Sequence, residues 1–175
     1  MVLDIRRFTA AEFDRFIRQP ENASRNFEFI AGEIVEKMVS NPRFSKIGIR
    51  VGGRLSVWVE DHGLGVVTGA DGGYIVNGER YIPDAAYISK VRQPIQPSDA
   101  YNPLAPDLAV EVLSPTNDDE EMRVKVAHYA AAGTLVWVID PERQRVEVYQ
   151  SGQPPSILTG DETFDGGDVL PGFSL

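Results

Sequence analysis

The chain contains no cysteine and only two histidines, His62 and His128. Disulfides and thiolate metal sites are therefore excluded, and a histidine-rich zinc site has too few ligands. A resident metal would be held by oxygen, which suits Mg²⁺, Mn²⁺ or Ca²⁺. No run approaches the roughly 18 apolar residues of a membrane span. The opening MVLDIRRFTA lacks the apolar centre of a signal peptide. Positive charge is scarce too, with 17 lysines and arginines against 26 acids and a net charge of −9. That balance opposes non-specific attraction to nucleic acid but leaves room for a local basic patch. A cytoplasmic protein with no membrane contact is expected.

At 175 residues and 42% hydrophobic content, the chain fits a single domain over 1–175 with a sizeable core. It has no repeats and no low-complexity tracts. Residues 8–17 carry apolar side chains at helical spacing. Residues 27–39 read as two short strands around Ala31-Gly32. Phe44, Ile47, Val51, Leu55 and Trp58 form a stripe at three- and four-residue steps, which predicts a helix over 43–63 ending near Gly63. Short strands punctuated by glycine follow to about residue 89. The proline-rich segment 91–104 is expected to be a loop, and 107–113 a strand. A helix then starts from a cap at Thr116 or Asn117, with the acidic run 118–121 in its first turn. Gly133 stops it. Strands at 134–140 and 144–150 and a short cover strand in the tail complete the chain. The order α, ββ, α, several β, α, ββ predicts an α/β or α+β domain, a mixed, strongly bent sheet flanked by helices.

Within this scheme, acids interrupt apolar strands. Residues two apart in a strand share a face. Leu108, Val110 and Val112 therefore form one apolar face, and Asp107, Ala109, Glu111 and Leu113 the other. A carboxylate inside such a strand is costly unless it is paired or bound to a metal. Asp84, after a proline in YIPDAAYI, and Glu28, in NFEFIAGE, repeat the pattern. Lys125 supplies an opposite charge. On the helix that follows the Glu111 strand it shares a face with Glu121, Met122, His128, Tyr129 and Ala132, and it calls for a carboxylate across the helix–strand contact. Three acids and a lysine around a divalent ion make a site for phosphodiester hydrolysis. The carboxylates hold the ion, and the lysine places a water or offsets developing charge. A compact ammonium suits that role better than a guanidinium.

IPDAAYI, PDLAVEVLSP, the spaced Lys125, Tyr129, Gly133 and WVIDP, and the opening FEFIAGEIVEKM resemble the Uma-two family of restriction endonuclease-like proteins. That family lies within the PD-(D/E)XK nuclease superfamily. The resemblance covers roughly residues 8–173. It implies a restriction-endonuclease-like fold, a mixed central sheet with flanking helices, and a Mg²⁺-dependent DNA endonuclease, with Mn²⁺ as a substitute ion. Pro83-Asp84 matches the PD motif and Glu111 the (D/E) position. The lysine expected two residues later is replaced by Leu113, and Lys125 on the next helix matches a migrated lysine. Glu28 matches the early acid. The implied catalytic set is Glu28, Asp84, Glu111 and Lys125, and the implied metal ligands are Asp84, Glu111 and Glu28. Asp107 and Tyr129 match positions of secondary role. Two departures stand out: Arg43-Phe44-Ser45-Lys46 where the family often has a histidine, and Glu121 where aspartate is usual.

Blander readings remain beside these. Each acid fits a strand edge or turn, and Lys125 fits a snorkelling surface lysine. Asp107 fits a strand start better than a metal ligand. His62 reads as a loop residue and His128 as surface. Tyr74 and Tyr81 suit core packing or base stacking. The glycine-rich stretch 69–79 lacks the helix start and lysine of a phosphate-binding loop. Two other function classes stay open: a catalytically weak nuclease-fold protein serving as an oligomeric binding module, and a hydrolase of small phosphoesters. Duplex cleavage would favour a two-fold homodimer.

Overall fold

The computed structural model describes residues 7–115 and 119–175. The expected caps Thr116 and Asn117, and Asp118 of the acidic run, lie outside them. Helix α1 (Ala10–Phe16) opens with a capping box. The Glu12 amide donates to the Thr9 hydroxyl, and the Thr9 amide donates to the Glu12 carboxylate. Strands β1 (Phe27–Ile30) and β2 (Glu33–Glu36) form the expected hairpin. Ala31 and Gly32 make its turn with φ of 50° and 87°. Positive φ at both central residues matches the twist of the flanking strands. Helix α2 (Pro42–Asp61) begins with the Asn41 side chain accepting the Arg43 amide.

The chain then runs through β3 (Gly65–Thr68), β4 (Gly73–Val76), β5 (Glu79–Tyr81), β6 (Ala85–Ser89), β7 (Tyr101–Asn102) and β8 (Leu108–Val112). Helix α3 (Asp119–Ala131) crosses over to β9 (Leu135–Asp140), followed by β10 (Arg145–Tyr149), β11 (Ser156–Thr159), β12 (Asp165–Gly166) and β13 (Leu170–Ser174). The parallel β8–β9 pair flanking α3 is a βαβ unit.

The expected single bent sheet is divided. One sheet has six strands in the order β11-β10-β9-β8-β6-β3, another has five in the order β2-β1-β5-β4-β7, and β12 pairs with β13. Both larger sheets are mixed, since β8–β9 and β4–β7 are parallel. The division falls at Ile82-Pro83-Asp84, inside what reads in sequence as one strand from 81 to 88. Pro83 has no amide to give a ladder, and the Ile82 amide donates to the Glu28 carboxylate at 2.6 Å. So β5 joins one sheet and β6 the other. Three short strands were not expected, among them β12, which pairs with the expected tail strand β13. β7 lies inside the proline-rich loop, held by its pairing to β4 and by paired amides of Gln93 and Asn102. β11 pairs with β10 at the sheet edge.

Four layers result. Phe44, Val51, Leu55 and Val59 of α2 pack on Leu108, Val110, Val112, Trp137 and Ile139 of the six-stranded sheet. On its other face, Ala86, Ala109, Val136 and Val138 meet Ile30, Tyr74, Val76 and Tyr81 of the five-stranded sheet, with Val126 and Tyr129 of α3. Phe13 of α1 closes the outer side of that sheet against Phe27 and Phe29. Each large apolar side chain so buried contributes roughly 1.5–3 kcal/mol. The two-residue alternation decides where Glu28 goes. Phe27 and Phe29 take the α1 side, so Glu28 and Ile30 point at the interface between the sheets. Both faces of β8 are buried, rather than one, and Glu111 is only 4% exposed.

Candidate active site

Lys125 stands between two acids. Its Nζ lies 2.9 Å from Glu28 Oε1, 3.3 Å from Glu28 Oε2 and 2.9 Å from Glu111 Oε1. All three side chains are buried. They come from β1, β8 and α3, so the cluster exists only where the two sheets and the crossover helix meet. The Tyr129 hydroxyl, one turn after Lys125, donates to Glu111 Oε1 at 3.2 Å. The Lys125 ammonium also sits 5.4 Å from the centre of the Tyr81 ring.

Asp84 lies next to this group but has its own partners. It is opposite Glu111 if the β6–β8 register, which pairs Ala85 with Val110, is extended by one residue. The Asp84 amide donates to the Val110 carbonyl at 2.9 Å. Its Oδ2 accepts the Val112 amide at 2.8 Å, and its Oδ1 is 3.1 Å from Lys37 Nζ. Lys37 also donates to the Ile82 carbonyl at 2.5 Å. Lys37 and Asp84 line an open cleft of about 670 Å³ between α2, the β2–α2 connection and the end of β3. Glu28, Glu111 and Lys125 are not among the residues that line it. Gly52 lets α2 sit this close to the sheet, for a Cβ there would come within 3.3 Å of the Ala85 Cβ.

The electrostatics follow from burial and proximity. Burial raises the proton affinity of Glu111, the Lys125 cation opposes this, and the Glu28 and Asp84 charges add to it; Lys37 opposes it more weakly, and the net shift is upward. Burial alone would favour a neutral Lys125, but Glu111 and Glu28 outweigh it and hold the lysine above its ordinary range. The ammonium is therefore a fixed positive charge and not a base at neutral pH. Tyr129 is kept protonated by burial and by the same carboxylates. If every member is ionised, Glu28, Asp84 and Glu111 face Lys37 and Lys125, and one negative charge remains.

Glu28, Glu111 and Lys125 are thus in direct contact, and Asp84 adjoins them through the Val112 amide and the field it exerts on Glu111. Among the described residues, no three Asp, Glu or His side chains are grouped so as to hold a metal ion. Asp107 lies apart. It accepts the Ser89 amide at 2.7 Å and pairs with Arg92 at 3.1 Å, as a strand-start residue does. Glu121 is half-buried on the first turn of α3. His128 is not a bare surface group, because its Nδ1 is 2.5 Å from the buried Tyr81 hydroxyl. Tyr74 and Tyr81 are both fully buried, which rules out base stacking by either ring in this conformation. His62 ends α2, stacked on Trp58. Lys37 escaped the sequence reading. Its signal was a lysine directly after the short strand β2.

The model of the Uma2 family, described as "Putative restriction endonuclease", matches residues 11–175. The chain belongs to this family. Uma2 membership spans nearly the whole described fold, including all of Glu28, Asp84, Glu111 and Lys125. Among solved structures, a "putative nuclease belonging to DUF820" from Anabaena variabilis ATCC 29413 superposes with a TM-score of 0.83 at 21% identity, over 96% of this chain and 94% of that one. At that identity the likeness establishes the fold. No curated protein matches the chain.

Proposed function

We propose that this Uma2 protein is a divalent-metal-dependent DNA endonuclease that hydrolyses phosphodiester bonds at the inner end of the α2 cleft. The observation that carries the reading is the buried Glu28–Lys125–Glu111 cluster beside Asp84. A fold that needed only stability would gain as much from apolar side chains there, since a buried ion pair contributes little net stability.

The residues present fit a hard divalent ion. The donors near Asp84 and Glu111 are all oxygen, and the cluster retains one negative charge when ionised. Mg²⁺ typically binds through one or two carboxylates, keeping water and taking substrate phosphate for the rest. Asp84 and Glu111 would hold the ion. It supplies polarisation of the phosphate and a more acidic water. An ion of charge +2 and a phosphodiester of charge −1 would bring the ionised cluster to neutrality.

The chain's own residues divide the remaining work. Lys125 Nζ stays protonated between Glu28 and Glu111 and would offset negative charge that develops near Glu111. Glu28, expected also as a ligand, takes Lys125 and the Ile82 amide on its oxygens and is assigned to orient the lysine. Tyr129 fixes the Glu111 carboxylate by hydrogen bonding to Oε1. Lys37 holds Asp84 at the cleft wall and is placed to meet the incoming phosphate. A homodimer would offer one such site to each strand of a duplex, and a cytoplasmic location completes the reading.

One observation favours the alternative of a catalytically weak binding module: Lys37 and Lys125 already offset two of the three acids. Nicking of supercoiled plasmid separates the two. Endonuclease activity predicts nicked and linear product with Mg²⁺ or Mn²⁺, none with EDTA, and none with Glu111→Gln. No product from wild type with either ion, together with no heat of Mg²⁺ binding by calorimetry, would sink the endonuclease reading.

A further inference from the structure

Residues 37–59 contain five cations, Lys37, Arg43, Lys46, Arg50 and Arg54, and no acid. The whole chain carries −9, so the remainder carries −14. Residues 37–59 are the longest stretch of the chain without an acid. Arg43, Lys46, Arg50 and Arg54 all lie on α2, and all four are exposed. At 100° per residue they fall within an arc of about 80° on its outer side. Elsewhere, Arg25 pairs with Glu36, Arg80 with Asp14, Arg92 with Asp107, and Arg143 and Arg145 with Asp140, while the scattered Arg15, Arg18 and Lys90 make no ion pair among the described residues. None of the four on α2 makes an ion pair among the described residues.

We infer that the outer face of α2 is the docking surface for the sugar-phosphate backbone of double-stranded DNA. This rests on the endonuclease reading for its choice of polyanion. From Arg43 to Arg54 the helix rises about 16 Å, which spans about five phosphates of one strand at 3.4 Å each. The same helix borders the cleft. Its flank there carries Ser45, Gly48, Gly52, Gly53 and Ser56 beside the apolar Phe44 and Ile49. A backbone seated on the cations meets no bulky polar barrier before Lys37 and Asp84. The acidic remainder of the surface repels DNA, so the one basic face also orients the duplex.

The test measures binding without cleavage. A fluorescein-labelled 20-base-pair duplex is titrated with protein in EDTA at salt from 50 to 200 mM, following anisotropy. Four phosphate contacts contribute a log–log salt slope of about −3.6, or roughly 150-fold in affinity across that range. The variant Arg43→Gln/Lys46→Gln/Arg50→Gln/Arg54→Gln should lose most of that slope and bind at least 100-fold more weakly at 50 mM, with an unchanged melting temperature. The control Arg15→Gln/Arg18→Gln, exposed cations on and just after α1, should bind as wild type does. Equal affinity of the quadruple variant and wild type overturns the inference. So does wild-type binding to phosphatidylserine vesicles but not to duplex, or a quadruple variant that changes only the oligomeric state. Plasmid cleavage by wild type with duplex affinity unaffected by the four substitutions removes the docking face and leaves the endonuclease. Loss of binding in the variant alongside an inert wild type keeps the docking face and removes the endonuclease.

Discussion

Replacing Lys125 with methionine should destabilise the protein by a pH-dependent amount. The substitution preserves chain length and apolar bulk but leaves Glu28 and Glu111 buried with no cation between them. Removing one partner of a buried ion pair costs about 3–5 kcal/mol. A Coulomb contact at 2.9 Å is worth about 6 kcal/mol at an effective dielectric of 20. The loss cannot grow to twice that, because an acid will take up a proton instead. Protonating one carboxylate with an ordinary pKa near 4.5 costs about 3.4 kcal/mol at pH 7, at 1.36 kcal/mol per unit. The two acids can then share that proton. The expected loss at pH 7 is therefore about 3–4 kcal/mol.

The sign of its pH dependence follows from linkage. In the variant, Glu111, whose folded pKa burial already raises above its unfolded value, loses the Lys125 cation that opposes that rise. Such a group binds more protons folded than unfolded, so stability falls as pH rises above the unfolded value. Lowering the pH from 7 to 5 should recover up to about 2.7 kcal/mol, two units at 1.36 each. In wild type, Lys125 remains paired, and the deficit relative to wild type should narrow at pH 5. Glu111→Gln should behave oppositely. It leaves one cation against Glu28 and removes the acid whose charged form burial disfavours, so its stability should lie within about 1 kcal/mol of wild type, in line with the near-neutrality of replacing unfavourable buried charge. Urea unfolding at pH 5 and 7, followed by fluorescence of the fully buried Trp137, measures both. A Lys125→Met loss below 1 kcal/mol, or equal losses at the two pH values, would refute the pairing argument.

Lys37→Met should cost under about 1 kcal/mol, because the pair is partly solvated, with both side chains 22% exposed; yet it should lower plasmid cleavage by tenfold or more, measured as initial nicking rate. Equal rates would remove Lys37 from the site. Asp140 caps the turn after β9, accepting the Glu142 and Arg143 amides at 3.1 and 3.0 Å and pairing with Arg143. Burial works against its charge, but these donors hold its pKa below the ordinary aspartate value. A lowered folded pKa contributes stability that is present above the unfolded value and lost as pH falls through the folded one. Asp140→Asn should therefore cost about 1–2 kcal/mol at pH 7 and flatten the acid limb of the melting curve below pH 4. A limb identical to wild type would contradict the assignment.

Local signals determined most of the element map. The three- and four-residue apolar stripe of α2, the Ala31-Gly32 turn and the Gly133 stop each act over a few residues, so they are readable from the chain alone. The lone acids in apolar strands were readable for the same reason. A period of two states which face a side chain takes, and an acid on a buried face demands a partner. The identity of that partner was decided by tertiary structure. Lys125 and Glu28 are 97 residues apart, and Lys37 and Asp84 are 47 apart. No local rule ranks such pairs. Lys125 was anticipated to face some carboxylate, whereas Lys37 entered only because β2 ends beside the bend at Asp84. The split into two sheets was decided in the same way. Pro83 was visible in sequence, but its consequence arose from Glu28 capturing the Ile82 amide across the fold. β7 has two residues and no periodicity at all, and its pairing to β4 is entirely long-range. Periodicity specifies which face a residue presents; only the packing of distant faces specifies what that face meets.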